Sequence, residues 1–339
     1  MYRALLSRCE WVRRDGKALG DLGEWENVIR RMKGKLLDAV GDVLPDRMAI
    51  QLGYFRAFKT LPDLKNPKTL NEKIQWRKLN QHDPRFITFS DKIAAKAEVA
   101  KLVGAEHVIE NLWVGTRPEE IPWDELEPPY VIKTNHTSGC NLFVRRGDLV
   151  DRAGLTRELN KQLQFDHSHR WREWSYKRIN RWILIERMLE SSSGVVPPDV
   201  RFFVYHGAVR CISVALGRYE MKVPTTDYFD RKWSPLEVCE YGYPRWRHGV
   251  ARPENLDEAV AIVEKIAAPF DFVRIDMYLE GGRVYFGEAS FYPAAGFSRF
   301  EPPEWDLRFG ELWKVEHGSK VPEPDYANMR HRAIEKETT

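Results

Sequence analysis

The spacing of apolar positions changes period several times along the chain, and each change predicts an element. The segment Asp271-Phe-Val-Arg-Ile-Asp276 alternates, and Val284-Tyr-Phe-Gly-Glu288-Ala-Ser290 alternates again after a glycine turn. The pattern predicts two antiparallel strands joined at Glu280-Gly281-Gly282. Earlier strand patterns fall at residues 108–114, 130–133, 141–144, 183–188, 200–206 and 210–216. Helical patterns lie between them. Residues 1–60 read as helical, with Glu24 to Leu44 free of proline, and Leu61 to Pro67 reads as a turn-rich linker. Thr69-Leu-Asn-Glu72 has the form of a capping box that opens a helix through Leu79. Asp91 heads a helix over 92–103 that stops at Gly104. One long polar helix, or two, is expected over 151–181, and an apolar-faced helix over 256–267. After Trp313 the chain is charged and reads as a loose tail. No internal repeat or low-complexity tract occurs. Strand pairs alternating with helices indicate an α+β or α/β enzyme built on antiparallel sheets.

Composition narrows the classes. At 339 residues and 43% hydrophobic content the chain can bury a sizeable core. No apolar run approaches the roughly 18 residues of a membrane span. The start, Met1 to Arg8, lacks the apolar centre of a signal peptide. Four cysteines, Cys9, Cys140, Cys211 and Cys239, are widely spaced and form no metal-ligand pattern, which suits a reducing cytoplasm. A net charge of +3 gives no global case for nucleic acid. The 12 tryptophans sit among arginines, a mix that suits both stacking on sugars and ordinary packing.

Four segments could carry chemistry. The hairpin can set Asp276 beside Glu288, and two such acids repel unless a proton or cation lies between them. Magnesium is the cation expected in an ATP-using enzyme, because it takes carboxylate and phosphate oxygens together. Against this stands an ordinary hairpin with solvated acids. Tyr130-Val-Ile-Lys133 delivers a lysine to a small-residue loop, His136-Thr-Ser138-Gly139-Cys140-Asn141, whose backbone N–H groups could cover phosphates. A polar hairpin turn explains it equally well. Ile183-Leu-Ile-Glu186 ends a strand in an acid that could read an adenine edge, and Asp199 could accept from ribose hydroxyls; in isolation the segment reads better as a strand edge with a solvated acid. The basic, aromatic run His167 to Arg178 could bind RNA or an acidic glycan, and reads better as an amphipathic helix. The chain holds no HExxH, G-x-S-x-G, G-x-G-x-x-G, GxxxxGK[ST] or Asp-x-Asp pattern.

Taken in order, Lys92, Lys133, Glu186, Asp276 and Glu288 resemble the ATP-grasp superfamily, and more narrowly the TupA-like ATP-grasp family. The segments that carry the resemblance are KTLNEKIQWRKLN, SDKIAAKAEVAKLVG, PYVIKTNHTSGCNLFV, REWSYK, ILIERML, RIDMY and FGEASFYPAAGF. The resemblance covers the chain from about Pro67 to Trp313. The resemblance implies an α+β ATP-grasp fold: two α+β lobes with antiparallel sheets clamping ATP, beside a helical N-terminal region. It places that region at 1–66, a first lobe with the phosphate loop at 67–185, a second lobe with the metal site at 186–315, and a tail at 316–339.

The same resemblance implies roles. Lys92 and Lys133 are the phosphate lysines, and His136, Thr137, Ser138 and Gly139 belong to the loop over the phosphates. Glu186, Met188 and Leu189 form the adenine hinge, and Asp199 the ribose acid. Arg274 holds an acyl phosphate. Asp276 and Glu288 carry magnesium, with Ser290 standing where the superfamily has an asparagine ligand. The implied activity is ATP-dependent, ADP-forming amide formation between a small-molecule carboxylate and an amine. The carboxylate would be a uronic acid, or a glycan or its lipid-linked precursor in surface-polysaccharide synthesis. Trp171–Arg178 and Trp233–Arg247 are candidate acceptor contacts. A nucleotide-binding scaffold, a glycosyltransferase and a kinase stay open beside it.

Overall fold

The computed structural model describes residues 41, 43–191, 196–217, 221, 223–246 and 249–315. Of the region 1–60 expected to be helical, residues 1–40 and 42 fall outside them, as does the tail 316–339. The described helices and strands begin with α1 (Asp46–Phe58), α2 (Leu70–Asn80), α3 (Pro84–Ser90) and α4 (Lys92–Val103). Strands β1 (Asn111–Gly115), β2 (Tyr130–Thr134) and β3 (Leu142–Val144) follow, then helices α5 (Arg152–Gln164) and α6 (His167–Trp171). Next come β4 (Ile183–Arg187), β5 (Asp199–Tyr205), β6 (Ala208–Leu216), β7 (Thr225–Phe229) and β8 (Cys239–Glu240). Helix α7 (Leu256–Ala267), β9 (Phe272–Glu280), β10 (Arg283–Ser290), β11 (Phe300–Glu301) and α8 (Glu304–Glu311) complete the order.

Two antiparallel sheets organise these elements. The smaller has the order β1-β4-β2-β3, and the larger β10-β9-β5-β6-β7. Leu159 of α5 packs with Tyr130, Ile132, Ile183 and Ile185 to form the smaller core. The larger core gathers the apolar face of α7 on its sheet, and also takes Leu70, Ile74, Phe86, Phe89, Ala95 and Val99 from α2, α3 and α4. These three helices fall within the stretch expected as the first lobe, yet their apolar faces are in the core of the larger sheet. The fold is α+β with antiparallel sheets, as the sequence pattern predicts.

Local chemistry explains the boundaries. Thr69 Oγ1 accepts from the Glu72 N–H at 3.2 Å while Glu72 Oε2 accepts from the Thr69 N–H at 3.1 Å, closing the capping box of α2. Asp91 caps α4 by accepting from the Ile93 N–H at 2.9 Å. The β9–β10 turn places Gly281 at φ 58° and Gly282 at φ 71°, a left-handed pair that matches strand twist and strongly favours glycine.

Three expectations need correction. The first strand begins at Asn111 rather than Val108, because Val108 instead bridges Phe286 in parallel. The stretch 151–181 is not one long helix. Asp166 restarts the chain after α5 by capping the His169 N–H at 2.8 Å, and Arg172, left-handed at φ 56°, then ends α6. A 3₁₀ turn over Trp174–Arg178 follows. Helix α3 and strand β7 were not anticipated: Pro84 at the first turn of α3 reads as a breaker, and β7 is buried on both faces and shows no alternation.

Helix α2 fixes the chain that leaves β10. Asn71 Nδ2 donates to Ser298 O at 2.8 Å, Gln75 Nε2 to Ala295 O at 2.9 Å and Lys78 Nζ to Ala295 O at 2.8 Å. Arg77, fully buried, donates to Phe272 O at 2.8 Å and Asp271 Oδ1 at 2.5 Å, and lies 4.1 Å from the Trp313 ring centre. These bonds hold Ala294 and Ala295 at φ 49° and 52°, strained values for alanine, just past the end of β10.

Candidate functional site

Register builds the acidic pair. In the β9–β10 ladder Glu288 lies opposite Asp276 and Ser290 opposite Arg274. A bulge between Phe286 and Glu288 shifts the pairing at Gly287. A Cβ at Gly287 would sit 3.0 Å from Asp276 O and 3.2 Å from the Tyr278 ring, so any larger residue there would crowd the bulge. Arg274 Nε donates to Asp276 Oδ1 at 2.6 Å, and its Nη2 donates to Asp276 Oδ2 at 2.7 Å and to Glu288 Oε1 at 3.1 Å. Burial pushes the Asp276 carboxyl up to about 6; Arg274 pulls against this, and Glu288 adds to it. The pair thus draws a cation, here a guanidinium. Hard carboxylate oxygens facing each other are also what magnesium takes. Among the described residues no three His, Cys, Asp or Glu side chains converge as a metal centre, so the remaining ligands would be phosphate and water oxygens.

The lysines approach from the other elements. Lys92, the first residue of α4, donates to Thr137 O in the loop after β2. Burial lowers its pKa, and Glu288 and Lys133 lie within electrostatic reach of it. In that loop Thr134 and Thr137 share a hydroxyl hydrogen bond of 2.6 Å. His136 is buried and its pKa falls to about 4, first by burial and then by the nearby cations Arg181 and Lys92. Ser138 and Gly139 are exposed at the tip, with Gly139 at φ 80°.

Lys133 pairs with Glu186 of β4, and Lys96 Nζ closes on the other oxygen of Glu186 at 2.5 Å. Burial alone would raise the Glu186 pKa, but the two lysines outweigh it and hold it at about 2. Beside this triad lies a shallow open cleft, lined by Ile109, Val131, Phe143, Met188, Leu189, Val196 and Tyr278 with Lys133, Asn141, Glu186 and Arg187. Apolar walls with a few polar groups at one end suit a planar heterocycle. The Met188 N–H is already given to Pro129 O at 3.2 Å.

The residues singled out in the sequence therefore fall into adjoining groups. Lys133, Glu186, Met188 and Leu189 line one cleft, Lys92 joins the loop to the electrostatic surroundings of Glu288, and Arg274, Asp276 and Glu288 interlock. Asp199 is buried, with Arg201 Nη2 at 3.6 Å. Ser290 is half-buried at the end of β10. In the aromatic run, burial holds the Tyr176 phenol pKa well above its usual value, with Glu173 and Glu288 adding to the effect. Trp233 is a core residue, stacked on Phe229 at 4.2 Å with its Nε1 donating to Val250 O at 3.1 Å, so it is not presented to an acceptor.

Sequence reading missed Lys96 and Arg201. Both carried a signal: Lys96 stands one helical turn beyond Lys92, and Arg201 shares the alternation of Asp199.

No curated protein matches the chain. Solved structures with similar folds include D-alanine–D-alanine ligase from Bacillus anthracis complexed with ATP, at 13% identity and TM-score 0.35, covering 60% of this chain and 54% of that one. The ATP-grasp ligase PsnB, complexed with a phosphomimetic variant of its minimal precursor, Mg and ADP, aligns at 13% identity and TM-score 0.38, over 71% of this chain and 63% of PsnB. Phosphoribosylamine–glycine ligase from Thermotoga maritima aligns at 14% identity and TM-score 0.38, over 60% and 48%. The chain spans about half to three-fifths of the length of these structures. The sequence model of the TupA-like ATP-grasp family matches residues 72–314, which covers both sheets and every group of the site, and the chain belongs to that family.

Proposed function

We propose that this protein is an ATP-dependent, ADP-forming carboxylate–amine ligase. The reading takes the smaller sheet, β1 to β4, and the larger sheet, β5, β6, β7, β9 and β10 with α2, α3 and α4 in its core, as the two lobes of an ATP clamp. The observation that carries it is the interlocked Arg274, Asp276 and Glu288, placed on register partners in a hairpin and within electrostatic reach of Lys92.

The adenine ring would lie in the apolar cleft, with Glu186 held by its lysines at the polar end. Because the Met188 N–H is committed to Pro129, the Leu189 N–H is the better candidate to read the ring edge. Asp199 would take the ribose hydroxyls. Lys92, Lys133 and the backbone of 136–139 would neutralise charge spreading over the phosphoryl oxygens. Asp276 and Glu288 would hold magnesium, which when bound would supply neutralisation of phosphate charge. The Ser290 hydroxyl would add at most a weak or water-mediated ligand. A substrate carboxylate oxygen then attacks the γ-phosphorus, the bond to the β-phosphate oxygen breaks, and ADP leaves. Arg274 holds the acyl phosphate while the amine attacks its carbonyl carbon. The C–O bond to phosphate breaks, the amine loses a proton, and an amide and free phosphate result. Positioning and electrostatics supply most of the catalysis.

We infer an amino acid or amine joined to a uronic acid or a surface-polysaccharide precursor, in the cytoplasm. No helix among the described residues is long and apolar enough to cross a membrane, and Cys140, Cys211 and Cys239 are free thiols. Ser290, a hydroxyl at a position the superfamily gives to asparagine, favours a second reading, a nucleotide-binding scaffold. The test is ADP release screened over mixtures of uronic acids and amino acids. The ligase reading expects substrate-dependent ADP and phosphate, lost by about 10²-fold or more in Asp276→Asn and Glu288→Gln. Nucleotide binding without turnover in any mixture favours the scaffold.

A further inference from the structure

One register row crosses the whole larger sheet. Glu288 faces Asp276, Asp276 faces Arg201, Arg201 faces Ser213, and Ser213 faces Tyr228. Register partners point to the same side of a sheet, so this row is a polar stripe beginning at the acidic pair and running on beyond it. Its middle member is unsatisfied. Arg201 lies 3.6 Å from Asp199 Oδ2 and 3.9 Å from Asp276 Oδ2, outside hydrogen-bond distance of both, and its buried Nε has no hydrogen-bond partner. The hydroxyl of Ser213, fully buried beside it, has none either. Arg274, by contrast, takes Asp276 and Glu288 through three close hydrogen bonds. The two arginines therefore do different work: one neutralises the acids, and the other keeps donor capacity in reserve.

A guanidinium that is largely removed from water and short of acceptors is costly unless an anion completes it. We propose that Arg201 is an anion-binding residue of the reaction. It takes an anionic oxygen on the side of Asp276 away from Glu288, with Asp199 flanking it at 3.6 Å and Ser213 its register neighbour in the row. That place adjoins the proposed metal carboxylates, so the oxyanion is either the terminal phosphoryl of ATP or the carboxylate it is transferred to. The proposal rests on the ligase reading and adds to it a residue that the sequence comparison left without a role.

The experiment is calorimetric titration of wild-type protein, Arg201→Gln and Arg201→Lys with Mg·AMPPNP and Mg·ADP, and of the Mg·ADP-loaded proteins with glucuronate. Each variant is first checked for a wild-type thermal melt, and Arg201→Lys keeps the charge should the glutamine variant fold poorly. We expect Arg201→Gln to weaken one ligand by about 10-fold or more, the loss of a charge-assisted hydrogen bond, with partial recovery in Arg201→Lys. Loss confined to AMPPNP, with ADP unchanged, identifies the phosphoryl group. Loss confined to glucuronate identifies the carboxylate. Equal loss for AMPPNP and ADP, or all ligands within about twofold of wild type, overturns the proposal. If wild-type protein binds neither nucleotide, the ligase reading itself has failed, an outcome distinct from an inert Arg201.

Discussion

Arg274 holds Asp276, two residues further along the same strand, through hydrogen bonds of 2.6 and 2.7 Å from two of its nitrogens. A third bond of 3.1 Å reaches Glu288 on the neighbouring strand. The guanidinium thus compensates two facing carboxylates at the place where a metal would do the same. Replacing it with methionine removes the guanidinium that the two acids share. Arg274→Met should lower stability without metal by about 3 kcal/mol. Magnesium should restore more of it than it adds to wild type. Urea unfolding with and without MgCl₂ checks both parts; equal metal effects in the two proteins would count against the site.

Gly287 gives the bulge that sets Glu288 against Asp276. Gly287→Ala places a methyl 3.0 Å from the Asp276 carbonyl oxygen and 3.2 Å from the Tyr278 ring. The expected cost is about 1–3 kcal/mol of overpacking, with weaker metal binding. Manganese binding followed by electron paramagnetic resonance, beside a thermal melt, reads the two effects separately.

Glu186 makes one contribution to the pH dependence of stability, at the acid end. Its carboxyl is held at about 2 in the folded protein against an ordinary 4.5. A depressed acid contributes stability that is fully present above 4.5 and is lost as pH falls through the folded value. Lys96→Met removes one of the two lysines responsible, so the folded pKa rises and the window narrows. The variant should be less stable at neutral pH, and its stability should fall less steeply between about pH 4.5 and 2 than that of wild type. Urea midpoints across that range test this; parallel curves would show that Lys96 does not set the Glu186 charge.

Arg77 joins helix α2 to the start of β9 at Phe272 and to the chain just past β10 at Phe291. Arg77→Ala leaves Asp271 and two carbonyls without their buried donor. The expected loss is about 3–5 kcal/mol, measured by chemical denaturation. A loss under about 1 kcal/mol would mean that the clamp is redundant.

The sequence made the hairpin legible because alternation and the Gly281-Gly282 turn agree, and it made α2 and α4 legible because Thr69 and Asp91 are local caps. Those signals act within a few residues. The break at Arg172 was not legible, since it depends on a left-handed residue that polar composition does not announce. Trp233 was misread for a similar reason: an aromatic among arginines looks available until Phe229 stacks on it. Lys96 and Arg201 escaped notice because their importance lies in what approaches them, Glu186 for one and Asp276 for the other, from residues 90 and 75 positions away in sequence.

The central claim is that a carboxylate is activated as an acyl phosphate on this scaffold. Hydroxylamine trapping addresses it most directly, with ATP, magnesium and a panel of uronic acids. The account predicts a hydroxamate formed in equal amounts with ADP and free phosphate, and its loss in Asp276→Asn. A phosphate group retained on the product, or consumption of a nucleotide sugar without any need for ATP, would contradict it.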